Sequence, residues 1–440
     1  MMASYRKTSV PVIAACLLAL VAHRLVLANW LGIAPDPAHL LGHWQHLALS
    51  DLTSDLFGSL MGLHSQPPLW NGLLGLAAGA CDADPDCTAQ IIHRAYFIAT
   101  LILFVLLVKL TERLFRHRGL AVAVAFGFCL SPAVIYYENY VFYPHLTALL
   151  FTGFAFSLLR WIDTRRLAAL IGIGLTLVAL AWTWALFHPL LVAIALGGAL
   201  LAARPISRGA IGIAVVSVLL SMGPALKNQM THGQFAAGTW LGLNLAQVAP
   251  GDDLGCGFGD FLTQHDFSDT HLGTAFNDPR IVSFSNDCRD RAIERIIDNP
   301  VPYVVSSIRR TLSSMSLRPS DYIFDPLNWD RYPRLLSAWQ VRDDSGTLRP
   351  LVVVSRLSVL AFNILLVGFM IWRAMRATDP IERRFLAIIL VVFLLFLSLA
   401  HSLNGAEQER MRYTLHPILW VYGWWMVVAA IRTLRRRLRS

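Results

Sequence analysis

Four polar stretches interrupt an otherwise apolar chain, and each carries residue types suited to group transfer at a membrane surface. PDPAHLLGHWQH, residues 35–46, opens with Asp36, a carboxylate that could act as general base on an acceptor hydroxyl. Asp36 equally suits the N-cap of a helix whose first turn takes Pro37. His39, His43 and His46 follow at i, i+4 and i+7, which predicts one shared helical face and a spacing that could hold a divalent metal. Interfacial histidines with no ligand role are the alternative. YYENY, residues 136–140, carries Glu138, the acidic residue between two long apolar runs, and pairs with Asp36 as a second catalytic carboxylate. If desolvated, its charge needs a cationic partner. Around it Tyr137, Asn139, Tyr143 and His145, with His188 at another span end, are expected to contact the transferred group or its acceptor.

HSQPPLWN, residues 64–71, sets His64 and Gln66 before a helix start, where free backbone N–H groups favour an anion such as a phosphate. Pro67 and Pro68 stiffen the entry to that helix but supply no N–H themselves. EQERMRY, residues 407–413, brings Arg410 and Arg412, whose forked guanidiniums bind phosphate through two parallel bonds. Glu407 and Glu409 offer the competing reading of local ion pairing. Lys227, at the outer end of a span, joins the expected phosphate-binding set with His64, Gln66, Arg410 and Arg412.

These residues need a scaffold, and composition identifies it. The chain is 55% hydrophobic and 15% charged over 440 residues, with mean hydropathy +0.53. Water could not solvate that much apolar surface, whereas a bilayer does. The net charge of +9 does not indicate nucleic acid, because the basic residues sit in short clusters between apolar runs. The predicted spans are about 9–31, 89–112, 118–136, 144–162, 167–184, 187–203, 208–226, 350–372, 384–402 and 415–432. Ten spans bring the clusters at Arg113/Arg116/Arg118, Arg160/Arg165/Arg166, Arg204/Arg208, Arg373/Arg376/Arg383/Arg384 and Arg432/Arg435/Arg436/Arg437/Arg439 to one side, the cytoplasmic one by the positive-inside rule. Both termini are then cytoplasmic, and the active site faces the periplasm of a cell inner membrane.

The apolar run 68–80 is short for a span and reads as a helix lying in, or re-entering from, the outer interface. Outside fall residues 32–88, with interfacial helices, and a domain at 227–349 with an amphipathic helix at 287–299 that stops at Asn299-Pro300. The chain thus divides into an N-terminal transmembrane module (1–226), a periplasmic domain (227–349) and C-terminal transmembrane helices (350–440). Cys81, Cys87, Cys256 and Cys288 all lie outside, in two local pairs that suit disulfides 81–87 and 256–288, with the two other pairings open. The fold class is an all-α polytopic membrane protein.

An acidic residue just outside the first span, an x-P-P-L motif opening an interfacial helix, and a second acidic residue after the next pair of spans together resemble the GT-C glycosyltransferases. The resemblance is to the branch of protein O-mannosyltransferases and lipid A aminoarabinose transferases, often grouped as family 39. It is carried by LHSQPPLWNGLLGL, SPAVIYYENYVFYP, KNQMTHGQFAAGTWLGLNL and EQERMRYTLHP. It implies a sugar donor on a polyprenyl phosphate, drawn from the membrane lipids, and transfer to a lipid, glycan or protein acceptor, as in lipopolysaccharide and other cell-envelope glycans. It also implies catalytic roles for Asp36 and Glu138. Pro37 follows Asp36 where many relatives have a second acidic residue, Gln66 stands where Lys is common, and Glu138 where Asp is common. Two other classes remain in play. A lipid-linked glycan flippase would need a polar path across the membrane, for which the spans offer little beyond His23 and Arg24. A metal-dependent hydrolase would be built on Asp36, His39, His43 and His46.

Overall fold

A computed structural model describes residues 10–35, 37–251, 253–265, 267, 271–316, 350–403 and 408–438. Asp36 and Glu407 fall outside the described residues, as do the side chains of His39 and Glu409.

Among the described residues the chain is helical throughout, without strands. α1 (Val10–Leu31) is followed by four short outer helices: α2 (Ala38–Gly42), α3 (Leu49–Ser54), α4 (Leu56–Gly62) and α5 (Leu69–Gly79). α6 (Pro85–Phe115), α7 (Arg118–Cys129), α8 (Pro132–Asn139), α9 (Pro144–Thr164), α10 (Leu167–Thr183), α11 (Pro189–Ala202) and α12 (Arg208–Ser221) build the first bundle. α13 (Gly223–His232) continues α12, so the domain boundary expected at 226 falls inside a helix. The outer part then holds α14 (Leu241–Val248), α15 (Phe258–Gln264), α16 (Leu272–Ala275), α17 (Arg280–Asp298) and α18 (Pro300–Ser316). α19 (Pro350–Arg376), α20 (Pro380–Leu403) and α21 (Gln408–Arg437) complete the bundle.

Among the described residues seven helical segments are long and apolar enough to cross a membrane, and the pair α7–α8, bent by 48° at Leu130–Ser131, is an eighth if it counts as one broken span. The two remaining expected spans, α10 and α11, have 17 and 14 residues, shorter than a full crossing needs. Their ends nonetheless reach both faces. Arg384 donates to the Ala202 carbonyl, and Trp184 packs on Tyr143 at the opposite end of the bundle. α5, 11 residues, is an outer helix and not a span, as its length requires.

Sequence explains the helix limits. Pro occupies the first turn of α6, α8, α9 and α11, where its missing N–H costs nothing. Ser131 and Ser207 cap α8 and α12 through their hydroxyls, and Asp84 caps α6. α6 and α9 end on left-handed residues, Arg116 and Arg165. Exposed Leu175, Leu190, Leu201, Val216 and Leu365 line the flanks, as lipid-facing positions should.

The arginine clusters do share one face. Arg113 donates to Asp163 and Asp379, Arg116 to Asp379, and Arg384 reaches Ala202 next to Arg204. The opposite face carries both disulfides, Cys81–Cys87 and Cys256–Cys288, with Cα separations of 5.7 and 5.8 Å. The outer part is stitched to the bundle by a stack of Trp44, Trp240 and Phe276, whose ring centroids lie 4.1–5.0 Å apart. Gly273 of α16 lies so close to the His46 carbonyl that no β-carbon would fit between them.

Candidate functional site

Four separate outer segments meet at the Arg410 guanidinium. Its carbon sits 4.7 Å from the Phe142 ring centre, 5.1 Å from Tyr143 and 5.7 Å from Trp184. Its Nη1 donates to Gln45 Oε1 at 3.0 Å. Phe142 and Tyr143 come from the turn before α9, Trp184 from the turn before α11, Gln45 from the first outer loop, and Arg410 from the first turn of α21. Aromatic faces attract a guanidinium while leaving its in-plane N–H fork for polar partners.

The first loop is held there by α5. Asn71 accepts from Leu47 N and donates to Gln45 O, at 2.9 and 3.0 Å, and Asn71 is itself fully buried. The Trp70 ring lies 6.0 Å from His46 and 6.3 Å from Phe142. Tyr96 of α6 donates to the Phe142 carbonyl, fixing the turn from the other side. PPLWN therefore does more than start a helix: its Trp-Asn pair aims the Gln45 loop at Arg410.

His43 and His46 flank Gln45. Their rings lie 4.9 Å apart, and Phe142 packs on both. α2 ends at Gly42, so His43 and His46 do not continue one helical face from His39, whose side chain lies outside the described residues. His43 and His46 sit in the turn that follows, and no three His, Cys, Asp or Glu side chains cluster among the described residues.

Arg410 and Arg412 also part company. The expected outer loop is already helical at Gln408, and residues two apart on a helix point about 200° apart. Arg412 turns towards the Ser314 carbonyl of α18, beside Asn363, Phe393 and Leu397, rather than into the aromatic cluster.

Glu138 is not a loop carboxylate. It lies on α8, 1% exposed, and accepts from Arg24 Nε at 2.8 Å, Arg24 Nη2 at 3.0 Å and Thr100 Oγ1 at 2.7 Å. Arg24 also donates to the Cys129 carbonyl. Thr100 in turn contacts His145 Nε2 at 3.0 Å, and His145 Nδ1 lies 2.9 Å from the Tyr413 hydroxyl. Tyr137 stacks on Tyr413 at 4.0 Å. One polar chain thus runs from α1 through α8 and α6 to α9 and α21, ending three residues from Arg410. Asn139 folds back onto the Ile135 carbonyl, and exposed His188 caps α11 through Nδ1.

His64, Ser65, Gln66, Pro67 and Pro68 are all buried. Asn277 accepts from the backbone N–H of both His64 and Ser65, and Thr239 Oγ1 lies 2.7 Å from His64 Nδ1. Among the described residues the other ring nitrogen, Nε2, has no protein partner, nor have Ser65 Oγ and Gln66 Oε1. Burial, with the nearby His232 and Lys227, pushes the His64 pKa down to about 4. Lys227 donates to the carbonyls of Leu60 and Leu63 at the end of α4, so its ammonium serves as a helix terminator.

Gln45, Phe142, Trp184, Trp70, Asn71, Thr100 and Tyr413 were not singled out from sequence. Gln45 lay inside a stretch read for its histidines. The aromatics are of the type that also forms membrane-interface belts, which masks a binding role.

No protein-family model matches the chain, and no curated protein matches it in sequence. Among solved structures it is similar to the apo oligosaccharyltransferase of Archaeoglobus fulgidus, at 14% identity and a TM-score of 0.47, over 97% of this chain and 52% of that one. It is also similar to the oligosaccharyltransferase AglB of the same organism, solved with an inhibitory peptide and a dolichol-phosphate, at 14% identity and a TM-score of 0.44, over 97% and 51%. The chain spans about half the length of these proteins.

Proposed function

We propose that this protein is a GT-C glycosyltransferase that takes a sugar from a polyprenyl-phosphate donor and passes it to a lipid, glycan or protein acceptor on the outer, periplasmic face of an inner membrane. The observation that carries the reading is the convergence of four outer segments on the Arg410 guanidinium at the end of a membrane bundle. A guanidinium fork suits a phosphate, and the aromatic faces of Phe142, Tyr143 and Trp184 suit a sugar ring. The buried polar run His64-Ser65-Gln66 supplies further groups for a headgroup. The acceptor base is assigned to Asp36 from the sequence alone. Glu138, whose two oxygens both engage Arg24, acts here as an anchor that holds His145 and Tyr413 rather than as the base.

Incubation of the purified chain with radiolabelled polyprenyl-phosphate sugars tests this. Wild type should release or transfer sugar, and Arg410→Ala should lose about 10²-fold or more of the rate, the scale of removing one stabilising donor. Turnover undiminished in Arg410→Ala removes the phosphate role. Absence of turnover with every donor would favour the flippase.

A further inference from the structure

A second pocket, of about 180 Å³, lies on the arginine-rich face, at the far end of α6 from the candidate site. From Tyr96 to Arg113 the helix rises about 25 Å, so the two sites are nearly a hydrocarbon thickness apart. Its lining combines Arg113, Arg116 and Arg373 with Asp379, Glu382 and Thr378, and its wall is Leu114, Leu159 and Trp425. An apolar wall beside a charged floor, at the ends of spanning helices, matches the headgroup level of a bilayer.

The charges are of both signs and have fixed positions. Asp379 accepts from Arg113 at 3.0 Å and from Arg116 at 3.1 Å. Burial pushes its carboxyl up, but the hydrogen bonds and charges of these arginines outweigh burial and hold it below the usual range. Arg373 meets Glu382 through two bonds, and its guanidinium lies 4.6 Å from the Trp425 ring centre. Arg116 is 68% exposed and spends one N–H on Asp379 among the described residues, which leaves most of its fork for a ligand. Thr378 adds a hydroxyl at the rim.

A purely anionic ligand would meet two carboxylates, and a purely cationic one three guanidiniums. A zwitterion satisfies both. We infer that this pocket binds the phosphoethanolamine headgroup of a phospholipid in the adjoining leaflet, the phosphate on Arg116 and the Thr378 hydroxyl and the ammonium on the Asp379–Glu382 side. The inference is independent of the transferase reading, because it concerns the other face and is read as lipid binding.

The test titrates the full-length chain in detergent with phosphatidylethanolamine, phosphatidylcholine or phosphatidylglycerol and reads retained lipid by native mass spectrometry alongside the unfolding temperature. Phosphatidylethanolamine should bind several-fold tighter than phosphatidylcholine, which keeps the phosphate but has no N–H to donate, and tighter than phosphatidylglycerol. Arg116→Gln should weaken it roughly tenfold, the scale of one charge-assisted hydrogen bond, and Thr378→Val should weaken it less. Equal affinity for the three lipids, a preference for phosphatidylglycerol, or an unchanged Arg116→Gln would overturn the inference. Competition by free phosphoethanolamine as strong as by the lipid would keep the headgroup chemistry and make the ligand a soluble one.

Discussion

The Arg24–Glu138 pair makes a prediction with a worked magnitude. The side chains are 9% and 0% exposed, and two bonds of 2.8 and 3.0 Å join them. Removing one member of such a pair leaves the other charge desolvated and alone, which typically costs about 3–5 kcal/mol. Arg24→Met should therefore destabilise by that amount, and Glu138→Met likewise, since it leaves the Arg24 guanidinium buried without its carboxylate. Replacing both by methionine removes both charges and their desolvation together. The double variant should lose only about 1–2 kcal/mol, so the two single losses together should exceed it by a coupling energy of about 4 kcal/mol or more. Unfolding in detergent, followed by tryptophan fluorescence, measures all four proteins. If Arg24→Met unfolds at the wild-type midpoint, the pair is not an anchor and the reasoning fails. The same double variant separates anchor from catalyst: an anchor role predicts that activity returns with stability, whereas a catalytic Glu138 predicts a stable, inactive protein.

Other outcomes follow from the outer face. His64 is buried with its pKa near 4 against an unfolded value of 6.5, so the unfolded state binds more protons between those values. Stability should be full above about pH 6.5 and fall by about 3 kcal/mol as pH drops to 4, a slope that a His64→Asn variant should lack in pH-dependent melts. Gly273→Ala would push a methyl into the His46 carbonyl, and should destabilise by about 1–3 kcal/mol and lower transfer by displacing the Gln45 loop, checked by melting and turnover together. Loss of Cys256–Cys288, which closes 32 residues, should cost about 3.7 kcal/mol, against about 2.2 for Cys81–Cys87, which closes 6; melts of the two double Cys→Ser variants should keep that order.

Much of the scaffold is legible in sequence because hydropathy and proline position are local signals. The helix start at Pro144 and the brevity of α5 needed nothing beyond the chain itself, whereas Pro132 breaks the span expected over 118–136. The site is less legible because its contacts are long-range. Gln45 and Arg410 are 365 residues apart, Arg24 and Glu138 114, and no spacing rule connects them. Arg410 was found as a cation on a face poor in cations, and Glu138 as a carboxylate between apolar runs. Their partners were invisible, and so was the helical start at Gln408 that turns Arg412 away. Asn71 shows the same limit: a small polar residue in an apolar helix gives no sign that it holds another loop.

The shortness of α10 and α11 has a mechanical consequence. At 1.5 Å per residue they are about 25 and 21 Å long, against a hydrocarbon layer of about 30 Å. Lipids beside them must compress to match, at a fraction of a kcal/mol per Å. The turn carrying Trp184, at one end of this thin stretch, packs against Arg410. On the proposed reading of Arg410, a lipid phosphate beside that turn need climb less far out of the bilayer to meet it.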